Sequence, residues 1–166
     1  MVRLGSALLG LPLLLAAPPV AGPTSALAGH YYHQFPNGTV DGQTYTGENV
    51  VEIVPVSSGA AYVRASLSFF NGHSCEIRGV AQARGAALVY RERGDDDGAP
   101  CVLTVSRVGR SLRLDDGADH SCDNHCGARG SLSRIDLPLA SRRPIRYMTV
   151  LKRSKKYRAA MSEWRR

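Results

Sequence analysis

Residues 62–79 read YVRASLSFFNGHSCEIRG, and the alternation within them decides the fold. Val63, Ala65, Leu67 and Phe69 are apolar at every second position, the period of a strand with one buried face. Asn71-Gly72 marks the turn. A two-residue turn there would set Leu67 against Glu76 and Ala65 against Arg78, placing charges opposite the apolar row. A three-residue loop of Phe70, Asn71 and Gly72, with Gly72 left-handed, instead sets Leu67 against Cys75, Ala65 against Ile77 and Val63 against Gly79. The second register is the one expected, with Cys75 facing the core.

The same short alternating runs continue on both sides of this hairpin. His30 to Phe35, Asn49 to Val56, Tyr62 to Phe69, Ser74 to Ala83, Ala87 to Arg93, Cys101 to Arg107 and Ser111 to Asp115 read as strands, broken by Arg84-Gly85, the acidic Gly94 to Pro100 segment and Val108-Gly109. Short links make sequence neighbours pair in space. The expectation is an all-β antiparallel meander, a small barrel or sandwich of about seven to eight strands, with Cys101, Leu103 and Val105 on one buried face.

Export is read from the N-terminus. Arg3, the apolar run Leu8 to Leu15 and the small-x-small signal Ala26-Leu27-Ala28 form a secretory peptide over residues 1–28, with a mature chain from Gly29. No cysteine follows that cleavage signal, which argues against a lipoprotein. The expected location is periplasmic or secreted. In an oxidising compartment Cys75, Cys101, Cys122 and Cys126 are read as disulfides, three pairings being open. The short spacing favours Cys122 with Cys126, leaving Cys75 with Cys101.

Charge divides the remainder in two. Residues 142–166 carry ten Lys or Arg against one acid, Glu163, a net of +9, whereas residues 29–141 carry ten Arg against thirteen acids, a net of −3. The domain reading is therefore a β-barrel over 29–141 and a basic C-terminal helix over 142–166. Tyr147, Val150, Leu151, Tyr157, Met161 and Trp164 recur at helical spacing, with Lys152, Arg153, Lys155, Lys156 and Arg158 between them, so one amphipathic helix is expected. Its apolar face could dock on the barrel or lie on an anionic membrane or polymer surface.

No nucleophile elbow, zinc helix, phosphate loop or dinucleotide fingerprint is present, so the reading is a non-enzymatic protein without cofactor or metal, and no nucleic-acid partner is expected. The densest reactive cluster, Asp115, Asp116, Asp119, His120, Cys122, Asp123, His125 and Cys126, lacks the paired knuckles of a zinc site and reads as a disulfide-closed polar loop. His30 and His33 differ in strand parity, which disfavours a shared metal. Asp95-Asp96-Asp97 lacks the ligand spacing of a calcium loop and reads as an exposed turn. Asn37-Gly38-Thr39 has the form of a glycosylation sequon. Arg129, on a glycine-flanked turn after Cys126, is a candidate for bidentate capture of a carboxylate or phosphate.

Ser58-Gly59-Ala60-Ala61-Tyr62, followed by Phe69-Phe70-Asn71-Gly72, resembles the bacterial periplasmic inhibitors of c-type lysozyme. Those are small exported barrels in which a Ser-Gly-x-x-Tyr segment precedes aromatics and a Thr-Lys-Gly turn, with both loops entering the lysozyme cleft. The resemblance covers about fifteen residues, and Asn71 stands where that family places its Lys, removing one of the two inhibitory contacts. It implies Ser58, Tyr62 and Gly72 as functional positions and a basic exported protein such as lysozyme as partner, which an acidic body would steer in. The expected function is an exported binding protein; the other reading is an envelope-associated protein held to an anionic surface by its basic helix.

Overall fold

The computed structural model describes residues 22–93 and 100–166. The apolar run Leu8 to Leu15 with Arg3, and the Asp95-Asp96-Asp97 turn, lie outside the described residues. Eight strands, β1 (Gly29–Gly38), β2 (Thr44–Ser57), β3 (Ala60–Ser68), β4 (Ser74–Arg84), β5 (Ala87–Arg91), β6 (Val102–Val108), β7 (Ser111–Asp115) and β8 (Ile135–Pro138), form one antiparallel sheet in sequence order. The sheet curls into a nearly closed barrel. β1 comes back towards β8, where Tyr32 N donates to Ser141 Oγ at 3.1 Å and His30 and Arg143 exchange backbone hydrogen bonds at 2.9 and 2.8 Å.

The hairpin of β3 and β4 pairs Leu67 with Cys75, Ala65 with Ile77 and Val63 with Gly79, the register expected from its alternation. The turn departs in one respect: Asn71 as well as Gly72 is left-handed, at φ 59° and 72°. Asn tolerates that region better than other side chains. Inward residues such as Leu67, Ile77, Leu88, Leu103 and Leu114 are fully buried and make one core. Each contributes about 1.5–3 kcal/mol of burial. Pro55, which cannot donate to a ladder, sits where the pairing of β2 and β3 shifts by one residue.

β4 and β5 pair only from Gln82 to Arg84 and then diverge. The Tyr90 ring fills the split, passing so close to Gly79 that a Cβ there would fall 2.0 Å from it. Gly79→Ala is expected to displace the ring and cost roughly 1–3 kcal/mol, read as a lower midpoint in thermal or urea unfolding. An unchanged midpoint would show that the ring is not held there.

Two expectations are corrected. The disulfides are Cys75–Cys126 and Cys101–Cys122, not Cys122–Cys126 with Cys75–Cys101. The reason is strand order. Cys75 opens β4 and Cys101 precedes β6, so β5 lies between them. Two inter-strand spacings are about 10 Å, beyond the roughly 7 Å that a disulfide spans. Cys122 and Cys126 are held apart by a 3₁₀ turn over Asp123–His125, which leaves Cys122 fully buried beside β6 and Cys126 at the start of β4.

The C-terminal helix is two helices, α2 (Met148–Arg153) and α3 (Lys155–Trp164). Between them Ser154 is extended, at φ −62° and ψ 147°, and its hydroxyl caps α3 by accepting from Tyr157 N at 3.2 Å. Leu151 and Ala160 are buried against Val54 and Tyr62 on the outer barrel face, and Tyr157 packs on Tyr62 with ring centroids 4.8 Å apart. Leu151, Tyr157 and Ala160 are thus spent on the barrel, while Val150 is 69% exposed. A short helix before β1, α1 (Pro23–Ala26), also packs on the barrel. No helix among the described residues is long and apolar enough to cross a membrane.

Candidate functional site

The β1–β2 and β3–β4 tips and the long β7–β8 connection lie at one end of the barrel. Each tip holds the other in shape. Asn71 Oδ1 accepts from Val40 N at 3.2 Å, Asn37 Nδ2 donates to Phe69 O at 3.0 Å, and the Tyr45 hydroxyl donates to Phe69 O at 3.2 Å while accepting from Gly72 N at 3.1 Å. In the β1–β2 tip Thr39 N donates to Gln43 O at 2.9 Å, and the Thr39 hydroxyl bonds Asp41, holding that carboxyl below its usual range. The left-handed pair Asn71-Gly72 is therefore fixed by a neighbouring hairpin. Val40 is nevertheless 72% exposed and Phe70 45% exposed. Strand parity explains Phe70: Phe69 continues the inward row and the next side chain projects outward.

The connection over residues 116–134 is stapled across this end. The Cys75–Cys126 bridge ties it to β4, where Gly127 N donates to Ser74 O at 2.8 Å, and Cys101–Cys122 ties it to β6. Gly130 lies so near the first bridge that a Cβ would meet Cys75 Sγ at 2.7 Å, which accounts for a glycine there. Asp116 is buried, accepting from Cys122 N at 3.3 Å and from the Ser133 hydroxyl; Ser133 Oγ also lies 2.7 Å from His120 Nδ1. His125 Nε2 contacts Glu92 at 3.3 Å. Metal-donor atoms of Asp116, His120 and Asp123 come within 4.8 Å of one another, as do those of Glu92, Cys101 and His125. Cys101 is bound in a disulfide, and Asp116 is occupied in tying the loop together. The polar cluster read from the sequence is thus a disulfide-braced loop.

The candidate binding residues do not form one site. Gly72 and Arg129 lie at this loop end, Gly72 in the fixed tip and Arg129 exposed on the Gly127–Gly130 turn. Ser58 is at the opposite end, in the β2–β3 turn, where its carbonyl accepts from the Thr24 hydroxyl at 3.2 Å. The nine residues of β3 separate Ser58 from Gly72 by roughly 30 Å. Tyr62 is fully buried beneath α3, its hydroxyl without a hydrogen-bond partner. Ser58 and Gly72 therefore stand at opposite ends of the barrel, and Tyr62 lies beneath the surface. Of the basic residues, Lys152, Arg153, Lys155 and Arg158 are exposed, whereas Lys156 is ion-paired with Glu76, whose carboxyl it holds below the usual range.

Two features had no place in the sequence reading. A cavity of about 360 Å³ lies beside the split between β4 and β5, lined by Tyr90, Glu92, Glu163 and Trp164 among others. Burial, with Glu92 and Glu163 nearby, pushes the Tyr90 hydroxyl up to about 12. The second is a buried polar knot under the segment entering α2. Glu52 is fully buried, with Arg64 Nε 2.8 Å from one carboxylate oxygen, and the Tyr147 hydroxyl donates to the other. His30 Nδ1 lies 3.2 Å from the same hydroxyl, and Tyr147 is pushed up to about 12 by burial and by Glu52. The knot joins three strands to the C-terminal segment.

Searches against protein-family models, curated proteins and solved structures find no match for this chain.

Proposed function

We propose that this is an exported, non-enzymatic binding protein that grips another exported protein with the loop end of its barrel. The observation that carries the reading is the pair of hairpin tips, whose backbones are fixed by cross-hairpin hydrogen bonds while Val40 and Phe70 remain exposed. An apolar anchor on a rigid tip loses little entropy on binding. Asp41, Asp119 and Asp123 are exposed around the same end, beside Arg129 and Arg134, and offer carboxylates to a basic partner at contact; with the basic helices docked, residues 29–166 carry a net +6, so no long-range steering of that partner is expected. The two disulfides suit an oxidising, exported location.

A c-type lysozyme is the first partner to try, because it is exported and basic, and because the Phe69-Phe70-Asn71-Gly72 turn that resembles its inhibitors is the turn presented here. The grip differs from that family in relying on Phe70 and Val40 rather than on Ser58. The oxidised protein should retain lysozyme, or another basic exported protein, from an envelope extract, and Phe70→Ala should weaken that binding at least tenfold, as for a central anchor. Equal retention by Phe70→Ala would rule out the loop end as the binding surface.

A second reading rests on Lys152, Arg153, Lys155 and Arg158. The docked helices turn these four to solvent and bury Leu151, Tyr157 and Ala160, so contact with an anionic envelope surface would be chiefly electrostatic. Such binding would fall steeply with added salt.

A further inference from the structure

We infer that residues 22–28 belong to the exported protein as the plug of the barrel, and that leader removal occurs N-terminal to Gly22 rather than after Ala28. The inference rests on the export reading. Leu27, inside the expected Ala26-Leu27-Ala28 cleavage signal, is 4% exposed and part of the main core. Thr24 is buried, with its hydroxyl on Ser58 O. The fully buried Tyr31 donates its hydroxyl to Leu27 O at 2.9 Å. Arg142 Nη1 reaches Ala26 O at 2.9 Å, so the C-terminal segment closes over the plug from the other side.

A cut after Ala28 would remove the Leu27 side chain from the core and leave the Tyr31 hydroxyl without its acceptor. Loss of a buried apolar group and stranding of a buried donor both lower stability. Gly29 supplies an independent sign. Its φ of +146° is a torsion about its own N–Cα bond, defined by the Ala28 carbonyl carbon, and an ideal Cβ would fall 3.1 Å from the Arg142 side chain. The φ part of that preference for glycine exists only while residue 28 is attached, whereas the close approach of Arg142 holds either way. Upstream, Ala16, Ala17 and Ala21 follow the apolar run directly and offer small residues for cleavage. The chemistry is ordinary peptide hydrolysis, one water consumed per bond cut.

The test is to express the full chain in an exporting host and determine the N-terminus of the exported product by intact mass and N-terminal sequencing. The expected product has lost its leader and retains Gly22 to Ala28. A product beginning at Gly29 overturns the inference while leaving export intact; a product still carrying Met1 overturns both. Leu27→Ala in the same full chain gives a second readout. A retained plug predicts an exported protein melting roughly 10 °C lower than the parent. An identical melting temperature contradicts it, since a residue cleaved away cannot affect the mature fold.

Discussion

Replacing Cys75 and Cys126 together with alanine should lower the unfolding free energy by about 4 kcal/mol, from the chain entropy released when a loop of about 50 residues is opened. The bridged positions are 51 residues apart, against 21 for Cys101 and Cys122, whose loss should cost about 3 kcal/mol on the same reasoning. The larger loss also has a local consequence. Cys75–Cys126 anchors the β7–β8 connection beside the β3–β4 tip, so its removal should loosen the binding end as well as the fold. Urea unfolding of the two double variants would show the order. Non-reducing peptide mapping should recover Cys75 linked to Cys126; a peptide joining Cys122 to Cys126 would contradict the account.

Arg64→Ala should destabilise the protein by about 3 kcal/mol, the lower end of what is expected when a buried carboxylate loses its cation. Glu52 is fully buried and Arg64 is the strong cation against it, with the Arg64 side chain 31% exposed. Without Arg64 the carboxylate keeps the Tyr147 hydroxyl and the His30 ring, whose Nδ1 lies 3.5 Å away, but loses its guanidinium. Glu52→Leu combined with Arg64→Leu should recover most of the loss, because no charge is then left buried. A double variant as unstable as Arg64→Ala would mean that packing of the Arg64 stem, not charge, holds the site. The knot fastens the C-terminal segment, so α2 and α3 should become more open to proteolysis in Arg64→Ala.

The strands were legible because one face of each is buried, and burial writes a two-residue period into the sequence. The β3–β4 register followed from that period together with the length of the Phe70-Asn71-Gly72 loop, and the inward position of Cys75 and Cys101 followed from the same parity. Disulfide partners were not legible in the same way. They depend on which strands are neighbours, and β5 standing between Cys75 and Cys101 is a fact of the assembled sheet. Tyr62 shows a further limit: the resemblance offered it as a functional position, yet it is fully buried and Tyr157 covers it. The break in the C-terminal helix had a local signal, Ser154 as an N-cap, which the hydrophobic period overrode. β8 is only Ile135–Pro138 and too short to show a period. Residues 22–28 were read as the end of a leader because Ala26-Leu27-Ala28 has the small-x-small form, although Leu27 is a core residue. At the loop end, Arg129 was offered by turn chemistry and Gly72 by the resemblance. Val40 was missed because an isolated apolar residue in a polar tip has no periodicity to announce it.

The most direct measurement is the affinity of the oxidised exported protein for c-type lysozyme, compared between the parent, a Val40→Asp and Phe70→Asp double variant, and a variant with Lys152, Arg153, Lys155 and Arg158 changed to Glu. Binding by the parent is expected, with a loss of at least tenfold in the loop-end variant and little change in the helix variant. No binding by the parent, or a loss confined to the helix variant, would contradict the loop-end grip.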